Sequence, residues 1–204
     1  VKVSNIDIST YKDPFLMARE AYAKAVWHEF AKQNDIDKKF LVIQRVLSYS
    51  PSFKKAYDEL CANPALYRTS NVSIKDFLKL LKQGAETFDE LHFTNCYIST
   101  LTGMQRYIEA LSFLNQKYVQ EPEPKAQEAV MNMIKNVQNE KNILDLAKAV
   151  EVYYQKNKDY PGDILVLVRD GLIDRIPEEP YGGQYFISRQ GQVKTTSEIT
   201  KDEQ

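Results

Sequence analysis

Histidine is nearly missing from this sequence, whose 204 residues include only His28 and His92. The two lie in different predicted helices, and neither has a second histidine at i+3 or i+4. The helical spacing of a zinc site therefore does not arise. Cysteine is as scarce. Cys61 and Cys96 form no C-x-x-C, which removes the redox and zinc signatures. Both sit in apolar helical surroundings, either paired with each other or packed as small hydrophobes. Glycine-rich phosphate cradles and the Gly-x-Ser-x-Gly hydrolase elbow are also absent. No run of 18 apolar residues occurs, so no segment here spans a bilayer. Charge of one sign is not in excess either: 27 basic and 28 acidic side chains leave −1. With no field to gather a polyanion, nucleic acid is not an expected partner.

Chemistry is hard to assemble from what remains. Asp89–Glu90 and Glu178–Glu179 are sequence neighbours, which points them apart on a helix or crowds a loop. "NEKNILDLAK" lacks the acidic alternation of a calcium loop, and the tail "TKDEQ" carries no ligand pattern. The expectation is a non-enzymatic protein with no catalytic residue, no metal and no cofactor. Beginning at Val1 rather than methionine, the chain reads as a mature or trimmed product. Any signal or anchor would lie upstream, and membrane contact is expected only through such a segment.

What is present is helical pattern. The hydrophobic share of 43% and charged share of 27% suit a soluble globular chain of one large or two small domains. Phe15, Ala18, Tyr22, Val26 and Phe30 form a first stripe, and Phe40, Ile43 and Leu47 a second that stops at "SYSPSF". A third helix runs from near Phe53 to before Pro64. Ser73 with Asp76 forms a capping pattern ahead of Ile74, Phe77, Leu78 and Leu81, and Gly84 reads as the stop. Thr87 and Glu90 repeat that pattern ahead of Phe93, Tyr97 and Leu101, with Gly103 as the end. Tyr107, Leu111, Leu114 and Tyr118 line the next helix. Pro124 suits the first turn of one bearing Val130 and Val137, and Ile143, Ala147, Val150 and Tyr154 mark a last. Eight helices with short connections imply antiparallel hairpins.

"GMQRYIEALSFLNQKYVQEP" resembles the second half of a tetratricopeptide repeat, through Tyr107, Glu109, Ala110, Leu111 and Pro122. "VLSYSPSFKKAYDEL" is similar to a junction between two such units, with Pro51 ending one and Ala56–Tyr57 entering the next. Pro51 and Pro122 are 71 residues apart, against about 68 for two 34-residue units. "CANPALYRTSN" reads as a small insertion. Trp27 and Ile98 depart from the pattern, falling where the family has small residues. The resemblance implies a superhelix of stacked hairpins with a helix-lined groove; an irregular α-bundle is the other reading. Either way a hairpin must stack to hide its apolar stripes. The tyrosines suit such a groove, and Tyr22, Tyr57, His92 and Tyr97 are the candidates for partner contact.

Glycine and proline gather after residue 160, and the composition shifts near Tyr160–Pro161. "GGQYFISRQGQVKTTS" alternates as two strands around "RQG", which places Gly191 where a three-residue loop needs a left-handed residue. An isolated hairpin is marginal in water, so its expected seat is the helix carrying Ala147, Val150 and Tyr154. The stretch from Ile143 to Ile187 resembles the globular region of type II secretion pseudopilins and type IV pilins. The matching positions are Tyr153, Tyr154, Tyr160, Pro161, Gly171, Leu172, Pro177, Pro180, Tyr181, Gly182 and Tyr185. Upstream of it "EPEPKAQEAVMNMIKNVQNEKN" is polar, unlike the apolar rod of a pilin, so a pilus subunit is not expected.

Together these readings give a mainly α fold. A helical-hairpin array occupies residues 1–140, and residues 141–204 form a small α+β cap with a C-terminal β-hairpin. The cap's landmarks are Tyr160, Pro161, Gly171, Pro177, Pro180, Tyr181, Gly182 and Tyr185. The resemblance implies a bacterial, extracytoplasmic scaffold or adaptor for a protein or peptide. The alternative is an accessory component of a pilus or type II secretion assembly that docks through the cap.

Overall fold

The computed structural model describes residues 14–30, 35–63, 66 and 72–199. The fold is mainly α with a small antiparallel hairpin near the C-terminus, as expected. Two compact units divide the chain, Val1–Thr100 and Leu101–Gln204.

Unit 1 holds α1 (Pro14–Phe30), α2 (Ile36–Tyr49), α3 (Lys54–Ala62), α4 (Ile74–Thr87) and most of α5 (Leu91–Gly103). Asp35 starts α2 by accepting the amides of Asp37 and Lys38. Ser73 caps α4 through the Asp76 amide, as its spacing predicts. The stripe Phe40, Ile43, Leu47 is buried, and Phe40 meets Phe77 of α4 at 6.1 Å between ring centroids. Tyr57, Phe88 and Phe93 form a second aromatic group, with centroids 4.9 to 6.3 Å apart. On α1, Ala23 and Val26 are buried while Ala18 and Tyr22 face solvent. The side chains of Phe15 and Phe30 lie outside the described residues, as does most of "CANPALYRTSN". Cys61 and Cys96 are joined as a disulfide that ties α3 to α5.

Two punctuation marks mean something other than their sequence suggests. Thr87 is the last residue of α4 rather than a cap for α5, and the Glu90 carboxylate pairs with Lys54 at 2.5 Å. Gly84 does not stop α4 but lies buried inside it. A Cβ there would stand 2.7 Å from Cδ1 of Tyr57. That ring has no room to retreat, because it is 1% exposed and its hydroxyl donates to the Pro51 carbonyl at 2.8 Å. Gly84→Ala gains about 1 kcal/mol of helix propensity but overpacks a pinned ring at about 1–3 kcal/mol. The expected result is a net loss, read as a lower urea midpoint of Trp27 fluorescence. A raised midpoint would mean that Tyr57 yields freely.

Unit 2 contains α6 (Tyr107–Gln120), α7 (Pro124–Asn157), α8 (Leu165–Arg169), β1 (Tyr185–Ile187), β2 (Val193–Thr195) and the short α9 (Thr196–Ile199). α6 packs against α7, whose start is capped by Glu123 with Pro124 in the first turn. The two helices expected over 124–137 and 143–154 are one helix of 34 residues. Residue 140 is therefore no boundary; it lies midway along α7, and the units part inside the last turn of α5. α7 ends at Lys158, which takes a left-handed φ of 59°, three residues before Pro161. Gly171 (φ 68°) caps α8, and the Leu172 amide reaches back to the Leu167 carbonyl, as the Gly-Leu pair predicts.

The hairpin pairs Tyr185 with Thr195 and Ile187 with Val193. Tyr185 and Val193 bury against Leu146, Ala149 and Val150 of α7, with Ile164 and Leu167 completing the core. The helix predicted to seat the hairpin does so. Gly191 holds φ 77° in the loop, and Tyr160, stacked on Tyr154 at 4.6 Å, lies against it. A Cβ on Gly191 would stand 2.3 Å from the Tyr160 ring. Gly191→Ala combines left-handed strain with this overlap and is expected to cost about 2–3 kcal/mol. Faster amide exchange confined to β1 and β2 is the expected readout; unchanged exchange would show that the loop relaxes at no cost.

Candidate functional site

The residues expected to line a partner groove separate by burial. Tyr57 and Tyr97, 1% and 2% exposed, are core residues and present no surface to a partner. Burial pushes the Tyr57 hydroxyl up to about 12. A tyrosine on an apolar stripe reads alike whether its face is covered or open, so periodicity could not separate them. Tyr22 and His92 are exposed. Tyr22 meets Tyr49 edge-on at 4.5 Å and accepts a 2.8 Å hydrogen bond from Arg45, which raises the arginine's pKa. His92 lies with its ring 5.1 Å from that of Phe93.

The cap is built more tightly. Glu179 is 4% exposed, yet its carboxylate accepts four bonds. One oxygen takes the amides of Tyr181 (2.8 Å) and Gly183 (2.7 Å), and the other takes the hydroxyls of Thr195 (3.1 Å) and Ser197. Burial pushes its pKa up, but the donors outweigh burial and hold it below the ordinary value. Gly183 belongs to this knot because a Cβ there would stand 3.0 Å from the Ser197 amide.

A second set of bonds runs from α7. Tyr181, beside Lys135, donates to Asn136 at 2.6 Å, and Tyr185 donates to Asn139 at 2.8 Å. Buried Asn142 donates to the Tyr185 hydroxyl (3.2 Å) and the Glu178 carbonyl (3.1 Å) while accepting from Gln138. Asn136, Asn139 and Asn142 thus stand at successive intervals of three on one helix face. Of the cap's predicted landmarks, Tyr181 and Tyr185 join this ladder, Tyr160 latches the loop, and Pro161 is buried. Gly182 (φ 83°) lies within the turn that Glu179 ties. Sequence reasoning missed Glu179 and the asparagines. The available signal was asparagine, a poor helix former, recurring at helical spacing inside a helix.

Beside this knot lies a groove of about 790 Å³. Its walls are Gly162–Leu165, Ile176–Glu179, Gly182–Gly183 and the β1 stretch 184–187. Pro177 also borders a neighbouring hollow of about 750 Å³ with Pro180, Asn142 and Arg175. Among the described residues no three His, Cys, Asp or Glu side chains are grouped to hold a metal ion. No helix among them is long and apolar enough to cross a membrane. Comparison of the chain with family models, curated proteins and solved structures gives no match.

Proposed function

We propose that this protein is a non-enzymatic scaffold or adaptor that works outside the cytoplasm and holds a protein or peptide partner. The observation that carries this reading is where three buried polar groups of unit 2 spend their bonds. Glu179, Asn142 and Thr195 each fasten the hairpin, its turn or α7 to one another. A general acid or base works best with a pKa near the operating pH. Glu179 is held the other way, below its ordinary value, by donors that fix it in place. The Cys61–Cys96 bond supports the compartment, since structural disulfides persist mainly in oxidising surroundings.

A second reading is favoured by one feature of unit 2: a single long helix whose C-terminal half carries α8 and the hairpin on one core. In that reading the protein is an accessory component of a pilus or type II secretion assembly and docks through its pilin-like cap. A photo-crosslinking residue placed in the full chain separates the two. Leu41 on α2 and Leu165 on α8 are each 61% exposed. Adducts from Leu41 favour the helical adaptor, and adducts from Leu165 to a pilus or secretion subunit favour docking through the cap. Adducts from neither position would overturn both, and free thiols at Cys61 and Cys96 in intact cells would overturn the compartment.

A further inference from the structure

Among the described residues β1 is paired on one side only, to β2. The Thr196 amide bonds the Gln184 carbonyl at 3.0 Å and the Ser188 amide bonds the Gln192 carbonyl at 2.8 Å. Bonded and non-bonded pairs alternate in an antiparallel ladder, so Phe186/Lys194 is the bonded pair between them. The N–H and C=O of Ile187 therefore turn away from β2, and no hydrogen bond among the described residues takes them up.

The groove lies along this edge. Its lining includes Tyr185 and Ile187, whose side chains enter the core, as well as Phe186, which alternates to the other face. Residues of both faces meet the cavity, and β2 contributes none, so it abuts the strand's backbone edge rather than either face. Natural sheets blunt such an edge by keeping it very short, by covering it, or with charge, proline or a bulge, and β1 is three residues long. "QYFI" carries no charge and no proline. The charged groups of the lining are Asp163, Glu178 and the buried Glu179, with no basic side chain among them. Asp163 accepts the Leu165 amide at 3.0 Å but remains exposed, as does Glu178. Exposed Leu165 adds an apolar wall.

We infer that the groove binds an extended basic peptide, which adds to β1 as a third strand. Backbone pairing at Ile187 supplies the register, and lysine or arginine side chains meet Asp163 and Glu178. The site lies wholly in unit 2 and asks nothing of the helices of unit 1. Its failure leaves the adaptor reading standing.

The test is fluorescence anisotropy of the full chain with a labelled peptide alternating threonine and lysine. Two control peptides accompany it, one with glutamate in place of lysine and one N-methylated at alternate amides. Saturable binding is expected for the lysine peptide, about tenfold weaker or absent for the glutamate one and lost on N-methylation. Glu178→Lys should weaken binding about tenfold. Ile187→Pro removes an N–H that β2 does not use and should abolish binding, with β2 amide exchange reporting whether the hairpin survives. If that variant unfolds, the N-methylated peptide and Glu178→Lys still decide. Absence of saturable binding, equal binding of the glutamate peptide, or equal binding of the N-methylated one overturns the proposal. So does a dimer in sedimentation that dissolves with Ile187→Pro, for the occupant would then be a second copy.

Discussion

Cys61→Ala with Cys96→Ala lowers the stability of unit 1 by about 4 kcal/mol, the chain-entropy value for a loop of this length. The bond joins residues 35 apart in sequence whose Cα atoms stand 5.6 Å apart, and the loop encloses α4. Cross-linking removes that loop's freedom from the unfolded chain, so its loss acts chiefly through the unfolded state. Trp27 is the only tryptophan and packs 5.4 Å from Phe53, so its fluorescence reports unit 1 alone. With an m-value of about 2 kcal/mol/M, the urea midpoint should fall by about 2 M. Phe40 pairs ring to ring with Phe77, as Phe88 does with Phe93, so the folded spectrum should persist in water. An unchanged midpoint would mean that the unfolded loop is already constrained by something else.

Glu179→Ala is the corresponding experiment in unit 2. The hydroxyls of Thr195 and Ser197 stand 2.9 Å apart and can satisfy one another once the carboxylate is gone. The amides of Tyr181 and Gly183 lose their charged acceptor. Two lost charge-assisted bonds from backbone amides, at about 1.5–3 kcal/mol each, put the cost at about 3–5 kcal/mol. Amide exchange of β1 and β2 should rise steeply while Trp27 is unaffected. Acid should reproduce part of this in the native protein. The folded pKa is lower than the ordinary 4.5, so the carboxylate's contribution is complete above that value and is lost as pH falls through the folded one. Glu179→Gln should lack that acid slope. A slope equal to the native protein's would assign it to another carboxylate.

Much of the fold is legible in the residues. Ser73 before an apolar stripe, Pro124 in a first turn and Gly191 in a three-residue loop each state a backbone requirement that few residues meet. Each requirement is local, so the sequence carries it whole. What is not legible depends on the far side of a contact. Gly84 reads as a stop because only the Tyr57 ring, brought in from α3, reveals why the helix interior lacks a side chain. The continuity of α7 between Val137 and Ile143 is hidden because an amide facing solvent and one facing a tyrosine hydroxyl look the same in one dimension. Tyr57 and Tyr97 read as groove residues because a stripe reports which face is apolar and not what covers it. Glu179 reads as one of two crowded acids, although the backbone amides that hold it lie only two and four residues ahead.

At about 1.5 Å per residue, α7 is a ruler about 51 Å long. Its polar and apolar graduations are read by α6 and by the hairpin at once, with Gln127 on the Tyr118 carbonyl and Asn142 on Tyr185. Each residue advances the helix by about 100°. One residue inserted at exposed Glu140 would therefore turn Asn136 and Asn139 from their tyrosines while Asn142 keeps step with the hairpin, without removing an atom of any of them. Seven, close to two full turns, would nearly restore the angle but set the two faces about 10.5 Å apart along the axis, so what this segment encodes is an angle and a distance as well as a composition.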